Sequence, residues 1–235
     1  LTALLLSHAC SSNVNNLPHI VVVDSFAEAE RLQKSIRFFD SHGNALVLRT
    51  FDVSPYSGLD PNRKYIMERL RFLFAAQNAL PGQIFIAPIQ ALMQLTLPYT
   101  VLRKFCSTIK TGDDVPANLS QFLNELGYEA TPYVEDMGQY SIRGGIIDIF
   151  SPAHQHPIRI ELFGDSVESL RFFSVLDQKS ISETSLFHLI PCRESLFTDD
   201  NLEDVVLSFR KSIENRQVDK DAADELLRSI TRKIN

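Results

Sequence analysis

An α/β fold with a mostly parallel sheet, carrying a smaller α+β domain after it, is predicted by three features of the 235-residue sequence. Up to about residue 110, continuous apolar runs alternate with segments of helical period, the pattern of strands crossing over through helices. Turn residues at Lys110-Thr111-Gly112-Asp113-Asp114 then interrupt that pattern. Beyond them lies a strand signature, residues 158–163, in which Ile158, Ile160 and Leu162 alternate strictly with Arg159, Glu161 and Phe163.

The elements follow in order. Residues 1–10 read as a helix, and Pro18 to Val23 as a buried parallel strand. Ser25 and Glu28 form a capping-box pattern ahead of a helix from Phe26 to Phe38. Ala45 to Leu48 is a second strand. Asp60-Pro61 supplies an N-cap and first-turn proline for a helix to about Ala79, with Ile66, Leu70, Leu73 and Phe74 at core spacing. Gln83 to Ala87 is the third strand. Leu119, Phe122, Leu123 and Leu126 repeat at helical spacing, and Gly127 stands where a left-handed cap is common. Residues 140–150 and 158–165 read as the two arms of an antiparallel hairpin joined through the two-proline loop 151–157, with residues 167–175 as a third strand. Gly144-Gly145 can introduce a bulge, so strand parity leaves the face of Arg143 undetermined. Asp200 and Glu203 cap a helix to about Asn215, and another runs from about Asp221 to the end. The boundaries expected are 1–111, 112–190 and 191–235.

Composition bounds the function. With 44% hydrophobic and 22% charged residues the chain can bury a sizeable core. Its net charge of -6 argues against a protein whose main task is gripping phosphate backbone. Cys10, Cys106 and Cys192 are too scattered for a disulfide framework or a zinc site, and the apolar opening run is too short to span a bilayer, so a cytoplasmic location with no membrane partner is expected. Leu1 and the helical pattern reaching the final residues lead to the expectation of a piece of a longer protein.

No catalytic residue, cofactor-binding residue or metal ligand is nominated. No glycine precedes a lysine with P-loop spacing. His154 and His156 flank Gln155 in a loop read as solvated, and Asp113-Asp114, Glu135-Asp136 and Asp199-Asp200 are read as turn or capping acids rather than metal-binding pairs. Arg63, Lys64, Arg69 and Arg71 offer a second reading as a phosphate-contacting helix face, that of a DNA-binding module. The non-core side of the 158–163 strand is the better binding candidate, because an aromatic beside guanidinium groups is a common interface anchor. From the residues alone, Phe163 packing under a neighbouring loop and Arg159 pairing with Glu161 or Asp148 in solvent is the preferred reading.

The words Tyr140-Ser-Ile-Arg143-Gly144-Gly145-Ile-Ile-Asp148-Ile-Phe150 and Ile158-Arg159-Ile-Glu161-Leu-Phe163-Gly-Asp165 resemble a module shared by the excision-repair protein UvrB and the transcription-repair coupling factor Mfd. Phe51-Asp-Val-Ser-Pro55-Tyr56, Ile86-Ala87-Pro88-Ile89-Gln90-Ala91-Leu92-Met93-Gln94 and Leu189-Ile190-Pro191 look more like Mfd than UvrB. The resemblance covers most of the chain to about residue 195. It implies a degenerate P-loop-NTPase-like sheet domain, 1–111, interrupted by a small UvrA-interaction domain and resumed by 191–235. It implies UvrA as partner, bound through Arg143, Arg159 and Phe163, with Glu161, Asp148 and Arg171 as neighbours. For the parent it implies ATP and Mg in later domains, RNA polymerase and double-stranded DNA as partners, and an intramolecular contact with those domains. The chain itself is then no enzyme. The alternative is the front of a UvrB-type DNA helicase.

Overall fold

In the computed structural model, residues 17–39, 45–54, 57, 59–196, 207 and 211 are described. The expected helices at 1–10 and 221–235 lie outside the described residues, as do Asp199 and Asp200; of the helix expected at 200–215 only Leu207 and Lys211 are described, and both are helical. Residues up to Glu194 form one compact unit, and those from Ser195 onward a second.

The first layer is a parallel three-stranded sheet ordered β1-β3-β2, from β1 (His19–Val23), β2 (Ala45–Val47) and β3 (Ile84–Pro88). β3, apolar throughout, is the fully buried centre. α1 (Phe26–Phe39) covers one face, where Ala29 and Ile36 meet Val23, Ala45, Ile84 and Ile86. At its start the Glu28 amide donates to Ser25 Oγ, while the Glu28 carboxylate accepts from Asp24 N, one residue earlier than a standard capping box. α2 (Arg63–Gln77) covers the other face through Phe72 and Ala75. Its cap is Asn62, whose Oδ1 accepts from Lys64 N at 2.9 Å, so the helix starts two residues after Pro61 rather than at it. Among the described residues β1 is an edge strand and not the buried strand expected: Ile20 is 73% and Val22 55% exposed, on the face opposite Val21 and Val23, which pack with α1.

α3 (Ile89–Leu92) and α4 (Tyr99–Lys104) lead to β4 (Ser107–Lys110), three elements the sequence reading missed because each is shorter than two helical turns or five residues. α5 (Leu119–Glu125) follows. Leu123 and Leu126 are fully buried, and Gly127 closes its end with φ +86.

The second layer is a six-stranded sheet ordered β10-β9-β8-β7-β6-β5: β5 (Glu129–Ala130), β6 (Gln139–Arg143), β7 (Ile146–Ile149), β8 (Ile158–Phe163), β9 (Ser166–Phe173) and β10 (Ser180–Thr184). All neighbours are antiparallel except β5 and β6. One face packs on α5 and on the pair β4 and β11 (Leu186–Leu189), enclosing Ile147, Ile149, Ile158, Ile160, Leu170 and Phe187. Residues 140–150 therefore do not form a single hairpin arm. Gly144-Gly145 is a tight turn, with Gly144 at φ +59, and folds β6 back on β7. The bulge lies instead between β8 and β9, where the register steps from Glu161↔Ser169 to Leu162↔Val167. That step explains why Val167 and Leu170, three apart, are both buried.

Two arginines of α2 tie the layers together. Arg63 donates to Gly127 O at 2.6 Å and Gly138 O at 3.0 Å and pairs with Glu129. Arg69 is fully buried, with its guanidinium over Phe51, donating to Arg49 O and Leu95 O and paired with Glu194 at 3.3 Å.

Candidate functional site

Strands fix which side chains can meet, because directly opposed residues share a face. Opposite the core, the second sheet lays out Ser141 and Arg143 on β6, Ile146 and Asp148 on β7, Arg159 and Glu161 on β8, Ser169 and Arg171 on β9 and Glu183 on β10.

Asp148 is the centre of this face and is fully buried. Its Oδ2 accepts from Arg143 Nη2 at 2.6 Å and from Arg159 Nη2 at 2.9 Å, and its Oδ1 accepts from Arg159 Nε at 2.8 Å. The bond to Asp148 and the attraction of that carboxylate raise Arg159 above the ordinary arginine range, against the effect of its partial burial. Each guanidinium also rests on a ring: Arg143 lies 5.1 Å from the Tyr133 centroid and Arg159 4.7 Å from that of Phe173. One carboxylate thus holds two guanidinium groups from strands on either side of it, and the trio keeps one net positive charge. The side chains of Arg143 and Arg159 remain 38% and 21% exposed.

Next to the trio, Glu161 accepts from Arg171 Nη2 at 2.5 Å and from Ser169 Oγ at 2.9 Å, and Glu183 stands 4.0 Å from Arg171 Nε. Phe163, at the end of β8 beside the turn at Gly164, is 80% exposed. It lies four residues, or about 13 Å of strand rise, from Arg159. Of the sequence-predicted residues, Arg143, Arg159, Asp148, Glu161 and Arg171 are therefore brought onto one ionic face as two neighbouring clusters, and Phe163 stands at its margin in open solvent. Arg143 does share the face of Arg159, a placement that the turn at Gly144-Gly145 decides. Tyr133 was not foreseen. It arrives from the loop after β5, is 62% exposed, and with Pro132, Tyr140, Ile142 and Arg143 lines a groove of about 530 Å³.

The helix face proposed for DNA does not exist as such. Arg63 and Arg69 are turned inward onto carbonyls and carboxylates, and only Lys64 and Arg71 remain on the other side of α2. The loop carrying His154 is not simply solvated either. The His154 ring stacks on Phe187 at 4.6 Å, and its Nε2 accepts from His188 N at 2.9 Å. Burial, with His188 and Arg71 nearby, lowers its pKa to about 4. His156 is exposed. Asp113 Oδ2 accepts from Lys110 N, which makes it a turn acid. Among the described residues, no group of three His, Cys, Asp or Glu side chains could hold a metal ion, and no helix is long and apolar enough to cross a membrane.

Comparison with known proteins converges on the same region. The family model of the UvrB interaction domain matches residues 108–194, the span that carries the whole ionic face. The chain is 33% identical over 187 residues to a transcription-repair-coupling factor of Myxococcus xanthus, covering 77% of this chain and 16% of that protein. It is 31% identical over 211 residues to the factor of Haemophilus influenzae, covering 89% and 18%, and 28% identical over 178 residues to that of Escherichia coli, covering 75% and 15%. The matched region is thus less than a fifth of the length of these relatives.

Proposed function

Because this chain belongs to the transcription-repair-coupling factors, in their amino-terminal UvrB-like region, we propose that it is an adaptor that recruits UvrA in transcription-coupled nucleotide-excision repair. The observation that carries this reading is the bridge from Asp148 to Arg143 and Arg159 on the solvent side of the sheet, within the span that matches the UvrB interaction domain.

Its physical logic is one of preorganisation. Two guanidinium groups already held by a buried carboxylate lose little rotamer freedom when a partner's acidic or carbonyl groups meet their outer edges. Phe163 supplies what the charges cannot, a large apolar area whose desolvation contributes affinity. Glu161 and Arg171, neutralising each other beside them, set register and partner choice more than strength.

The α/β layer then serves as a scaffold descended from a nucleotide-binding fold without nucleotide chemistry of its own. The parent is an ATP-dependent DNA translocase that displaces stalled RNA polymerase in the cytoplasm, with ATP and Mg bound by later domains. Those domains mask the ionic face until polymerase is engaged. The test is calorimetric titration of UvrA with the wild-type chain and with Arg159→Ala and Phe163→Ala, each checked for an intact fold. Truncating Phe163 should weaken binding about tenfold or more, the worth of one buried phenylalanine. Wild-type binding that neither variant weakens would place the contact elsewhere.

A further inference from the structure

Along the outer edge of β2 the α/β layer, with Gln155 from the loop before β8, lines a cleft of about 940 Å³ that contains none of the residues assigned to the UvrA-binding face. Three consecutive residues, Ala45, Leu46 and Val47, line it. Successive side chains of a strand point to opposite faces, so only the free edge of the strand can present all three to one cleft. Among the described residues β2 is such an edge, since β3 pairs with it on one side only. Leu48 N donates inward to Ile86 O at 2.9 Å, and Ala45 O accepts outward from Gln33 Nε2 at 2.8 Å. By that parity the Val47 amide and carbonyl face the cleft, and no strand among the described residues takes them.

Charge singles out the strand that fits. α1 contributes one stripe to the walls, Glu30 and Arg37 among them, and α2 another, with Lys64, Glu68 and Arg71. Arg49 bridges both glutamates, at 3.6 Å from Glu30 and 3.3 Å from Glu68, which leaves one negative charge against the three other cations of the walls. The remaining cations, Arg37, Lys64 and Arg71, make no ion pair among the described residues. Arg71 is partly buried, and burial together with the neighbouring Arg37 lowers its pKa from the ordinary arginine value. A nucleic-acid strand would need open ring faces for its bases. The rings of Phe26 and Tyr65 are instead occupied by the Arg49 guanidinium, at 4.2 and 4.0 Å.

We propose that this cleft binds an extended acidic peptide, which adds to β2 as a new strand and sets carboxylates against Arg37, Lys64 and Arg71. Main-chain bonds to Val47 give it direction, and the three cations select its side chains. The site is independent of the UvrA-binding face and stands or falls separately.

The experiment is fluorescence anisotropy with the full 235-residue chain and a labelled peptide of about ten residues alternating Glu and Val, a length and pattern suited to strand addition. The matching peptide of Lys and Val and a single-stranded oligothymidine serve as comparisons. The Glu peptide should bind in a salt-sensitive manner and the Lys peptide should not. Arg71→Ala should weaken binding about tenfold, the usual effect of losing one charge-assisted bond. Val47→Pro, which removes the outward amide at an edge position that tolerates proline, should weaken it with circular dichroism unchanged. Absence of binding by the Glu peptide, binding that Arg71→Ala leaves unaltered, or tighter Arg71-dependent binding of oligothymidine would overturn the proposal.

Discussion

Replacing Asp148 by Asn removes one negative charge from between two guanidinium groups while keeping the size of the side chain. The carboxylate accepts three charge-assisted bonds, at 2.6, 2.8 and 2.9 Å, and is fully buried. Removing one partner of a wholly buried ion pair costs about 3 to 5 kcal/mol. Here the guanidinium groups are partly open, 38% exposed at Arg143 and 21% at Arg159, so water offsets part of the loss. The amide also turns donors toward donors. A loss of about 2 to 3 kcal/mol is expected. Urea denaturation at pH 7, followed by circular dichroism, measures it through the shift in midpoint at constant slope. A loss below about 1 kcal/mol, the range of exposed pairs, would refute the reasoning and make the trio a surface arrangement of little consequence.

Other expectations follow from the same geometry. Gly138→Ala should cost about 2 to 4 kcal/mol, because the residue sits at φ +84 and an added Cβ would lie 2.8 Å from Met67 Sδ and 3.0 Å from Arg63 Nη2. Gly144→Ala, at φ +59 with nothing near, should cost only about 1 kcal/mol, and equal midpoint shifts for the two would contradict this. His154 titrates at about 4 in the fold, below its unfolded value, so its contribution to stability is present above about pH 6.5 and is lost as the pH falls toward 4. After allowance for solvent screening of a partly exposed ring, the loss is about 2 kcal/mol, and a ring resonance titrating near 6.5 in NMR spectra would oppose it. Burial raises the thiols of Cys106 and Cys192 to about 11 and about 12. Peptide mapping after alkylation at pH 8 should find both nearly unlabelled in the folded chain and labelled in urea.

What the sequence could reveal was set by the range of the interactions involved. Strict alternation over residues 158–163 placed Arg159 and Phe163 on the side away from Ile158 and Ile160, since parity within one strand needs no partner. The face of Arg143 depended on whether Gly144-Gly145 made a bulge or a turn, and either conformation suits two glycines. The bridging role of Asp148 requires the register of three strands at once, which no local pattern encodes. Arg63 and Arg69 were misread for the same reason. Grouped by charge with Lys64 and Arg71, they stand about 120° apart on the helix, and their partners Gly127, Gly138 and Glu194 lie far along the chain. The Val-rich β1 looked central because an apolar run does not distinguish a strand covered on both sides from one left bare on one. Tyr133, alone in a turn-like stretch, carried no signal at all.

Site-specific crosslinking tests the central claim most directly. With p-benzoylphenylalanine at position 163, on the margin of the ionic face, irradiation in the presence of UvrA should yield a covalent adduct. The same group at Leu80, also exposed but on the α/β layer, should not. Adducts from position 80 and none from 163 would contradict recruitment through the second sheet.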